Sequence, residues 1–497
     1  MRRINSLLLT LFLVGSVSAQ PWTLVTYNAE NIFDADGIAA YDDYKTPGYT
    51  PRHVLTKVRH VAQVMAKYND GMGPDVVVFN EIEADQSQSA ANSLTAAQFL
   101  QQWNGKPLAW MFGEGYSPAV ADIPSELLIL KAMEEAGMTG YEVVTGYAPL
   151  DSATGKPTHA IKNVIFSRFA VKHERTKSHV VDDARPILEV WLDVAGHDLA
   201  VFANHWKSGA GNPREELTRV QNATVLKARL DELRAENPAV DVILAGDFNS
   251  DYNQSQRYAS TMPQTGVNTI LKSTGNEAKI AAGTVIPTDH VYNLWYELPV
   301  DQRGSDHFRG YWGTLMQMMV TPGMFNQGGV SYVDNSFSIG RFPGFNSYST
   351  SGTPIRWSSF GDGYGYADHF PISLQFTVTG KTNAIELRNP SKENETTWSP
   401  IPVTHAVPKE GEYIDAKSVS GSIRTAGYFD KMLLVTGNLV EANQILVNGE
   451  RYELYSPSFR IQDAMSSKVG TDVTLFGRLG QFRGRWQLVV ESEGYLR

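Results

Sequence analysis

In DVILAGDFNS, residues 241–250, an apolar run from Val242 to Ala245 stops abruptly at Gly246 and Asp247. A run of this length and composition reads as a buried strand. Ending such a strand in a polar side chain delivers that side chain to the rim of its sheet. Three other runs end the same way: WTLVTY stops at Asn28, DVVVF at Asn80 and Glu81, and LAVFA at Asn204 and His205. Four such strands can gather Asn28, Glu81, His205, Asp247 and Asn249 around one cleft on rigid supports. Each ending alone is ordinary turn chemistry, but together they form a coherent set. Carboxylates with neutral amides suit a hard cation such as Mg²⁺. A His beside them suits proton transfer or oxyanion stabilisation at neutral pH.

Between the strands lie segments with helical spacing. In PRHVLTKVRHVAQVMAKY, residues 51–68, Val54, Val58, Val61 and Met65 share one face, and Pro51 suits a helix start. A second helix is expected over about 214–235, with Val220, Leu226, Leu230 and Leu233 in its stripe. This alternation predicts a layered α/β domain. Residues 255–365 are rich in Gly, Ser, Asn and aromatics with few clear elements, and 380–412 is polar with several prolines, the composition of a linker. Beyond it, KMLLVTGNLVE, QILVNGERYEL and DVTLFGRLGQFRGRWQLVV read as strands, with a two-residue turn at Asn448 and Gly449. A small all-β barrel over 413–497 is expected.

A chain of 497 residues, 42% hydrophobic with 22 Tyr, 21 Phe and 10 Trp, is expected to form two well-packed domains. Residues 1–19 place Arg2 and Arg3 before a short apolar run and small residues, which reads as a cleaved secretory signal; the protein is expected to be secreted or periplasmic, without stable membrane insertion. The absence of Cys removes disulfides, thiol nucleophiles and thiolate metal sites, so any metal must be held by oxygen or imidazole. With 53 Asp and Glu against 43 Lys and Arg, the surface offers no general attraction to polyphosphates. A nucleic-acid substrate would therefore need a cation or a local basic patch.

The ordered series TYNAENIFD, FNEIE, NHWKS, GDFNS and YADHFPI (366–372) resembles the endonuclease/exonuclease/phosphatase superfamily. The resemblance spans residues 22 to about 377 and implies a four-layer α/β/β/α sandwich over 20–379 that hydrolyses a phosphoester with a metal, Mg²⁺ first, Mn²⁺ or Ca²⁺ as alternatives. Carried over by position, Glu81 would ligate the metal with Asn28 and Asp368 in support. Asp247 would orient or deprotonate the attacking water, Asn249 would position it, and His205 and His369 would stabilise charge on the phosphoryl oxygens. His159, Lys162 and Lys207 fall near where relatives meet the substrate phosphate.

Two departures stand out. Relatives carry an acid that orients the last His where this chain has Met316, and an R-G-I-D-V-like stretch where this chain reads THAIKNVIFS, residues 158–167. The tripeptide Asp-His-Phe occurs twice, at 306–308 and 368–370; the second copy matches the family pair, and the first reads as a loop pair leading into the strand that lacks the acid. Asp306 could instead fold back to serve as that acid. The C-terminal segment resembles the last strands of an oligonucleotide-binding (OB) barrel, with Phe482, Arg483, Arg485 and Trp486 as a stacking and phosphate-contacting surface. The leading expectation is an exported endonuclease acting on extracellular DNA or RNA. The alternatives are a sphingomyelinase-like phosphodiesterase and a catalytically silent binding protein of the same fold.

Overall fold

The computed structural model describes residues 21–87, 94–147, 149–282, 288–325, 328–378, 400–482 and 484–497; the signal-like segment 1–19, residues 380–399 of the expected linker and Arg483 lie outside the described residues. Two mixed sheets face each other. In the first, β1 (Trp22–Ile32) and β2 (Val76–Glu83) are parallel neighbours joined by the crossover helix α1 (Pro51–Met65). Val54, Val58, Val61 and Met65 bury the expected stripe of α1 against Val25, Tyr27, Val77 and Phe79. Helix α2 (Ser125–Glu135) covers the same outer face, and β3 (Ile161–Ser167) extends the sheet antiparallel to β2.

The second sheet contains the hairpin of β4 (Ala184–Val194) and β5 (His197–His205), then α3 (Pro213–Glu236), then β6 (Val242–Asp247) parallel to β5. Parallel pairing requires such a crossover. Leu226, Leu230 and Leu233 of α3 close on Phe202 and Leu244, while Val220 is only half-buried and outside that cluster. Between the sheets, Leu24, Val76 and Val78 meet Val190, Val201, Ile243 and Ala245, all fully buried. Burial at this level stabilises by roughly 1.5–3 kcal/mol per side chain. The result is a four-layer α/β/β/α sandwich whose strand ends carry the polar residues singled out above.

The segment 255–365 is built of short elements. The hairpin of β7 (Asp306–Phe308) and β8 (Tyr311–Gly313) leads into β9 (Met316–Val320), antiparallel to β6 with Met316 opposite Asp247. The expected loop at SDHFRG is thus a strand, and Asp306 is buried, with its backbone bridged to that of His369. A hairpin of three-residue strands leaves no periodicity to read, and its partner lies far along the chain. Strand β10 (Ile372–Val378) closes the first sheet against β1.

The C-terminal strands are β11 (Met432–Glu441), β12 (Gln444–Val447), β13 (Glu450–Tyr455), β14 (Asp472–Phe482) and β15 (Arg485–Val489), with helix α4 (Phe459–Ser466) between β13 and β14. They pair in the order β11, β12, β13, β15, β14 and back to β11, which closes a five-stranded barrel. Asn448 and Gly449, at φ 50° and 83°, form the expected two-residue turn. The barrel sits on the sandwich: Phe429 stacks on Phe360 at 3.8 Å, and Tyr348 donates its hydroxyl to Asp430 at 2.8 Å. Residues 401–403 run along β8, with Trp312 N–H on the Ile401 carbonyl and Val403 N–H on that of Gly310, both 2.8 Å. No helix among the described residues is long and apolar enough to cross a membrane.

Candidate active site

The four strand ends converge as their pattern implies. Asn28, at the bend of β1, donates its Nδ2 to Glu81 Oε1 and to Asp247 Oδ2, both at 3.0 Å. Glu81 sits in a bulge of β2 at φ 62°, where the pairing slips by two residues against β1 and by one against β3. A non-glycine residue held in this left-handed region stores about 1–3 kcal/mol of strain, and the bulge aims its carboxylate into the cleft. Asp247 is fixed from three sides: its Oδ1 accepts Asn249 N–H at 2.8 Å, its Oδ2 accepts Asn28, and its own N–H donates to Asn80 Oδ1 at 3.0 Å. Asn249 also stands at positive φ, 47°, and donates Nδ2 to the Trp206 carbonyl.

Two imidazoles flank the carboxylates. His205 Nε2 lies 3.7 Å from Glu81 Oε1 and 3.8 Å from Asp247 Oδ2. His369 Nε2 lies 3.8 Å from both Asp247 Oδ2 and Asp368 Oδ1. Their surroundings separate them. Burial, with Arg185 and His369 nearby, holds His205 well below the usual imidazole range and neutral at pH 7. Burial also opposes charge on His369, but Asp368, Asp247 and Asp306 together raise it to about 9, so it is cationic.

Asp306 answers the question raised by Met316. The Met316 side chain belongs to the core between the sheets. Asp306, by contrast, accepts Leu315 N–H at 3.2 Å and Ser305 Oγ at 3.0 Å, which holds its carboxylate over the start of β9 beside His369. It supplies negative charge to His369 but no hydrogen bond, since His369 Nδ1 is buried without a partner among the described residues. The first Asp-His-Phe copy is therefore part of the site, which corrects the expectation of a loop pair outside it.

Several contributors had not been singled out in the sequence. Arg356 bridges Glu30 Oε1 at 3.0 Å and Asp368 Oδ2 at 3.2 Å. Lys57 is fully buried under the site, donating to the Glu30 carbonyl, and burial lowers it to about 8 despite Glu30, Glu81 and Asp368 nearby. A clue existed: Lys57 occupies a place in the apolar stripe between Val54 and Val58, where a cation needs a buried partner. Arg185 donates to the His205 and Trp206 carbonyls. Arg356 comes from an irregular stretch with no pattern to mark it.

These groups lie in a cavity of about 1380 Å³ between sandwich and barrel, whose lining includes Glu81, Arg185, His205, Asp247, both Asp-His pairs and, from the barrel side, Ser458–Ile461 and Glu491–Glu493. Other expected substrate residues lie elsewhere. Lys162 is held by Glu126 at 2.9 Å and Lys207 lies 3.8 Å from Glu215; neither lines the cavity, nor does His159. Arg485 reaches Glu453 at 3.2 Å, Trp486 packs 5.5 Å from Phe360, and exposed Phe482 is also outside the lining. The barrel turns its α4 end to the cleft rather than Phe482, Arg485 and Trp486.

Glu81, His205 and Asp247 each offer a ligand atom within 4.8 Å of the others. Burial and the charge of Asp368 push Glu81 up to about 7, the signature of converging carboxylates with too little positive charge between them. His205 Nδ1 is likewise buried without a partner among the described residues. These residues fit a hard divalent cation. Asn28 cross-links Glu81 to Asp247, while Asp368 leans toward Arg356.

Fold and site together define a layered α/β/β/α sandwich with carboxylates and imidazoles gathered at one rim. Residues 158–377 match the model of the Endonuclease/Exonuclease/phosphatase family. No curated protein matches the chain. Similar solved structures include TDP2 from C. elegans, 12% identical over 73% of this chain and 77% of that one with a TM-score of 0.39. A family member from Bacteroides thetaiotaomicron is 16% identical over 72% and 95%, TM-score 0.37. TDP2 from D. rerio, complexed with single strand DNA product, is 14% identical over 72% and 99%, TM-score 0.34.

Proposed function

We propose that the chain is an exported, Mg²⁺-dependent endonuclease for extracellular DNA or RNA. The observation that carries this reading is a cleft with an acidic floor and cationic walls. Arg185 and Arg356 stand beside the carboxylates, while Arg309 and Arg460 project at the sandwich and barrel sides with no ion pair among the described residues. On a chain that is acidic overall, such a local basic lining is what a polyphosphate requires. At the mouth, Arg309 lies between two exposed rings, 5.0 Å from Phe308 and 4.7 Å from Phe459, a platform on which a base can stack.

A bound Mg²⁺ would neutralise charge developing on the phosphoryl oxygens. Glu81 would hold it, with Asn28 and Asp368 in support. Asp247 Oδ2 accepts the proton of the attacking water, and Asn249 fixes that carboxylate by occupying Oδ1 through its N–H. His369, cationic and within reach of Asp247, donates from Nε2 to a non-bridging oxygen. His205, kept neutral, orients water through its ring nitrogen. The water oxygen bonds to phosphorus as the phosphorus–oxygen bond opposite it breaks, and the leaving oxygen takes a proton from solvent, which leaves one phosphomonoester end and one alcohol. The strand order and the helix between the third and fourth barrel strands favour an OB-type module that guides the strand into the cleft.

The same exposed rings would suit a lipid phosphodiester, the second reading. Plasmid nicking, bis-p-nitrophenyl phosphate hydrolysis and sphingomyelin cleavage, each with Mg²⁺, Mn²⁺ or EDTA, decide between them. EDTA-sensitive nicking lost in Asp247→Ala, with circular dichroism unchanged, is expected. Lipid cleavage without nicking would select the second reading, and no turnover of any phosphoester would leave a binding protein.

A further inference from the structure

Two segments rise from the rim of the site and meet the barrel. The first is the β7–β8 hairpin, which leads into β9 of the second sheet. At its foot the backbone of Asp306 is bridged to that of His369. At its tip the Arg309 guanidinium lies 4.7 Å from the Phe459 ring, and a Cβ at Gly310 would lie 3.8 Å from that of Ser458, so the turn touches the start of α4. The second segment, 355–366, stands on the side of the first sheet. Arg356 at its foot bridges Glu30 and Asp368, at 3.0 and 3.2 Å. Ser358 and Tyr364 exchange backbone hydrogen bonds, both 2.8 Å, and Phe360 between them stacks on Phe429 at 3.8 Å with the rings 6° apart.

Each segment thus runs from the site to the barrel in four residues, Asp306 to Gly310 and Arg356 to Phe360. At about 3.3 Å per residue of extended chain, that is a clearance of about 13 Å at most. The cavity under the barrel, about 1380 Å³, exceeds the roughly 300–1,000 Å³ of a small-molecule pocket and suits a run of a few nucleotides. A duplex does not fit. The major groove of B-form DNA is by itself about 12 Å wide, so the double helix around it is broader than the clearance, and with a persistence length of about 150 base pairs it does not bend into a pocket. An unpaired strand is narrow and flexible, and it turns its base faces outward to stack on rings. Such rings are present: Phe308 and Phe459 are exposed at the mouth, and Tyr41, 39% exposed, lines the cavity.

We propose that the barrel is a roof over the active site, held from both sheets, which restricts the substrate to unpaired nucleic-acid strands. This rests on the nuclease reading above and adds the strandedness of the polymer. The filter is steric and acts through depth. At about 3.4 Å or more per nucleotide along a strand, the clearance keeps paired bases about two to four nucleotides from the scissile phosphate. A supercoiled plasmid is still nicked, because negative supercoiling favours local unpairing, whereas a relaxed linear duplex is spared.

The test uses the full chain with Mg²⁺ and one end-labelled oligonucleotide in three forms: unpaired, annealed to its full complement, and annealed over half its length to leave a single-stranded tail. The expected kcat/KM on the unpaired form exceeds that on the blunt duplex by about 100-fold or more. In the tailed form, cuts should fall in the tail and stop about two or more nucleotides short of the junction, the setback that the clearance imposes. A preference for unstacked bases without a roof would let cuts run up to the junction. Turnover of the blunt duplex within tenfold of the unpaired form overturns the proposal, as do cuts that reach the junction. Binding is read separately, by fluorescence anisotropy of the same forms with the Asp247→Ala protein, which should hold the unpaired form at least tenfold more tightly than the duplex. Equal affinity overturns the proposal. Because anisotropy needs no turnover, a chain that cleaves nothing yet keeps the tenfold preference refutes the nuclease reading while supporting the roof.

Discussion

The chain spells Asp-His-Phe twice, and the two copies face one cleft with opposite chemistry. In 368–370, His369 is ringed by Asp368, Asp247 and Asp306 and stands raised to about 9 despite its burial. In 306–308, burial, Arg356 and His405 lower His307 to about 4, so it is neutral. The Phe residues diverge as well: Phe370 is 1% exposed and part of the core, while Phe308 is 68% exposed at the rim. Backbone contact holds the copies together, through the Asp306–His369 bridge and the Phe370 N–H on the Ser305 carbonyl at 2.6 Å. A tripeptide carries no charge state of its own; the partners gathered by the fold assign it.

The sharpest way to break this contrast is to remove each imidazole. His369→Ala should lower kcat by about 10²–10⁴-fold, the range for loss of a positioned acid or base, and His307→Ala by less than about tenfold. Equal losses in a bis-p-nitrophenyl phosphate assay would dissolve the distinction. Removing the rings should separate the copies by stability instead: Phe370→Ala should destabilise by about 3–5 kcal/mol in urea unfolding, and Phe308→Ala by well under 1 kcal/mol because its ring is exposed. Met316→Asp, which fills the position where relatives carry the acid, should not rescue activity. It places a carboxylate in the core between the sheets, and a loss of at least roughly 3 kcal/mol is expected.

Much of this was legible in the sequence, for a physical reason. A buried strand announces itself by its apolar run, and the residue that ends it must reach the sheet edge, so Asn28, Glu81, His205 and Asp247 could be grouped without coordinates. The crossover helices α1 and α3 followed from the same logic. What could not be read was long-range or irregular. Asp306 reaches His369 across more than sixty residues, through strands of three residues that have no period. Arg356 lies in a Gly- and aromatic-rich stretch. The face that the barrel offers to the cleft depends on Phe360, Phe429 and Tyr348 packing between the two units, so the 482–486 edge was singled out on composition while α4 took the place beside the site.

The next effect is a shift in pH rather than a loss of rate. His369 is raised above the free imidazole value, so its cation persists through neutrality and is lost as pH passes about 9. A rate that needs this cation is flat below that point and falls above it. Asp306 contributes charge to the raise, without a hydrogen bond, and is itself pushed up to about 6, chiefly by burial. Asp306→Asn should therefore move the alkaline limb of kcat/KM to lower pH at fixed Mg²⁺, with kcat at pH 7 changed little. An unmoved limb would mean that Asp306 merely holds β9 through the Leu315 N–H.

The smallest expected effect tests the rim. Phe308 and Phe459 flank Arg309, and a single-stranded substrate crossing the mouth would stack a base there. One lost base stack is worth about 1–3 kcal/mol, and an exposed platform belongs at the low end, so Phe308→Ala should raise KM for a single-stranded oligonucleotide about fivefold. Bis-p-nitrophenyl phosphate, too short to reach the mouth, should be hydrolysed as before. Arg309→Ala should lower the salt dependence of binding by about one unit of slope if the guanidinium meets a phosphate, and Arg485→Ala, paired with Glu453 outside the cavity, should change neither. An oligonucleotide KM that responds to Arg485 and not to Phe308 or Arg309 would return the binding surface to the barrel edge and leave the first Asp-His-Phe copy with only its electrostatic part.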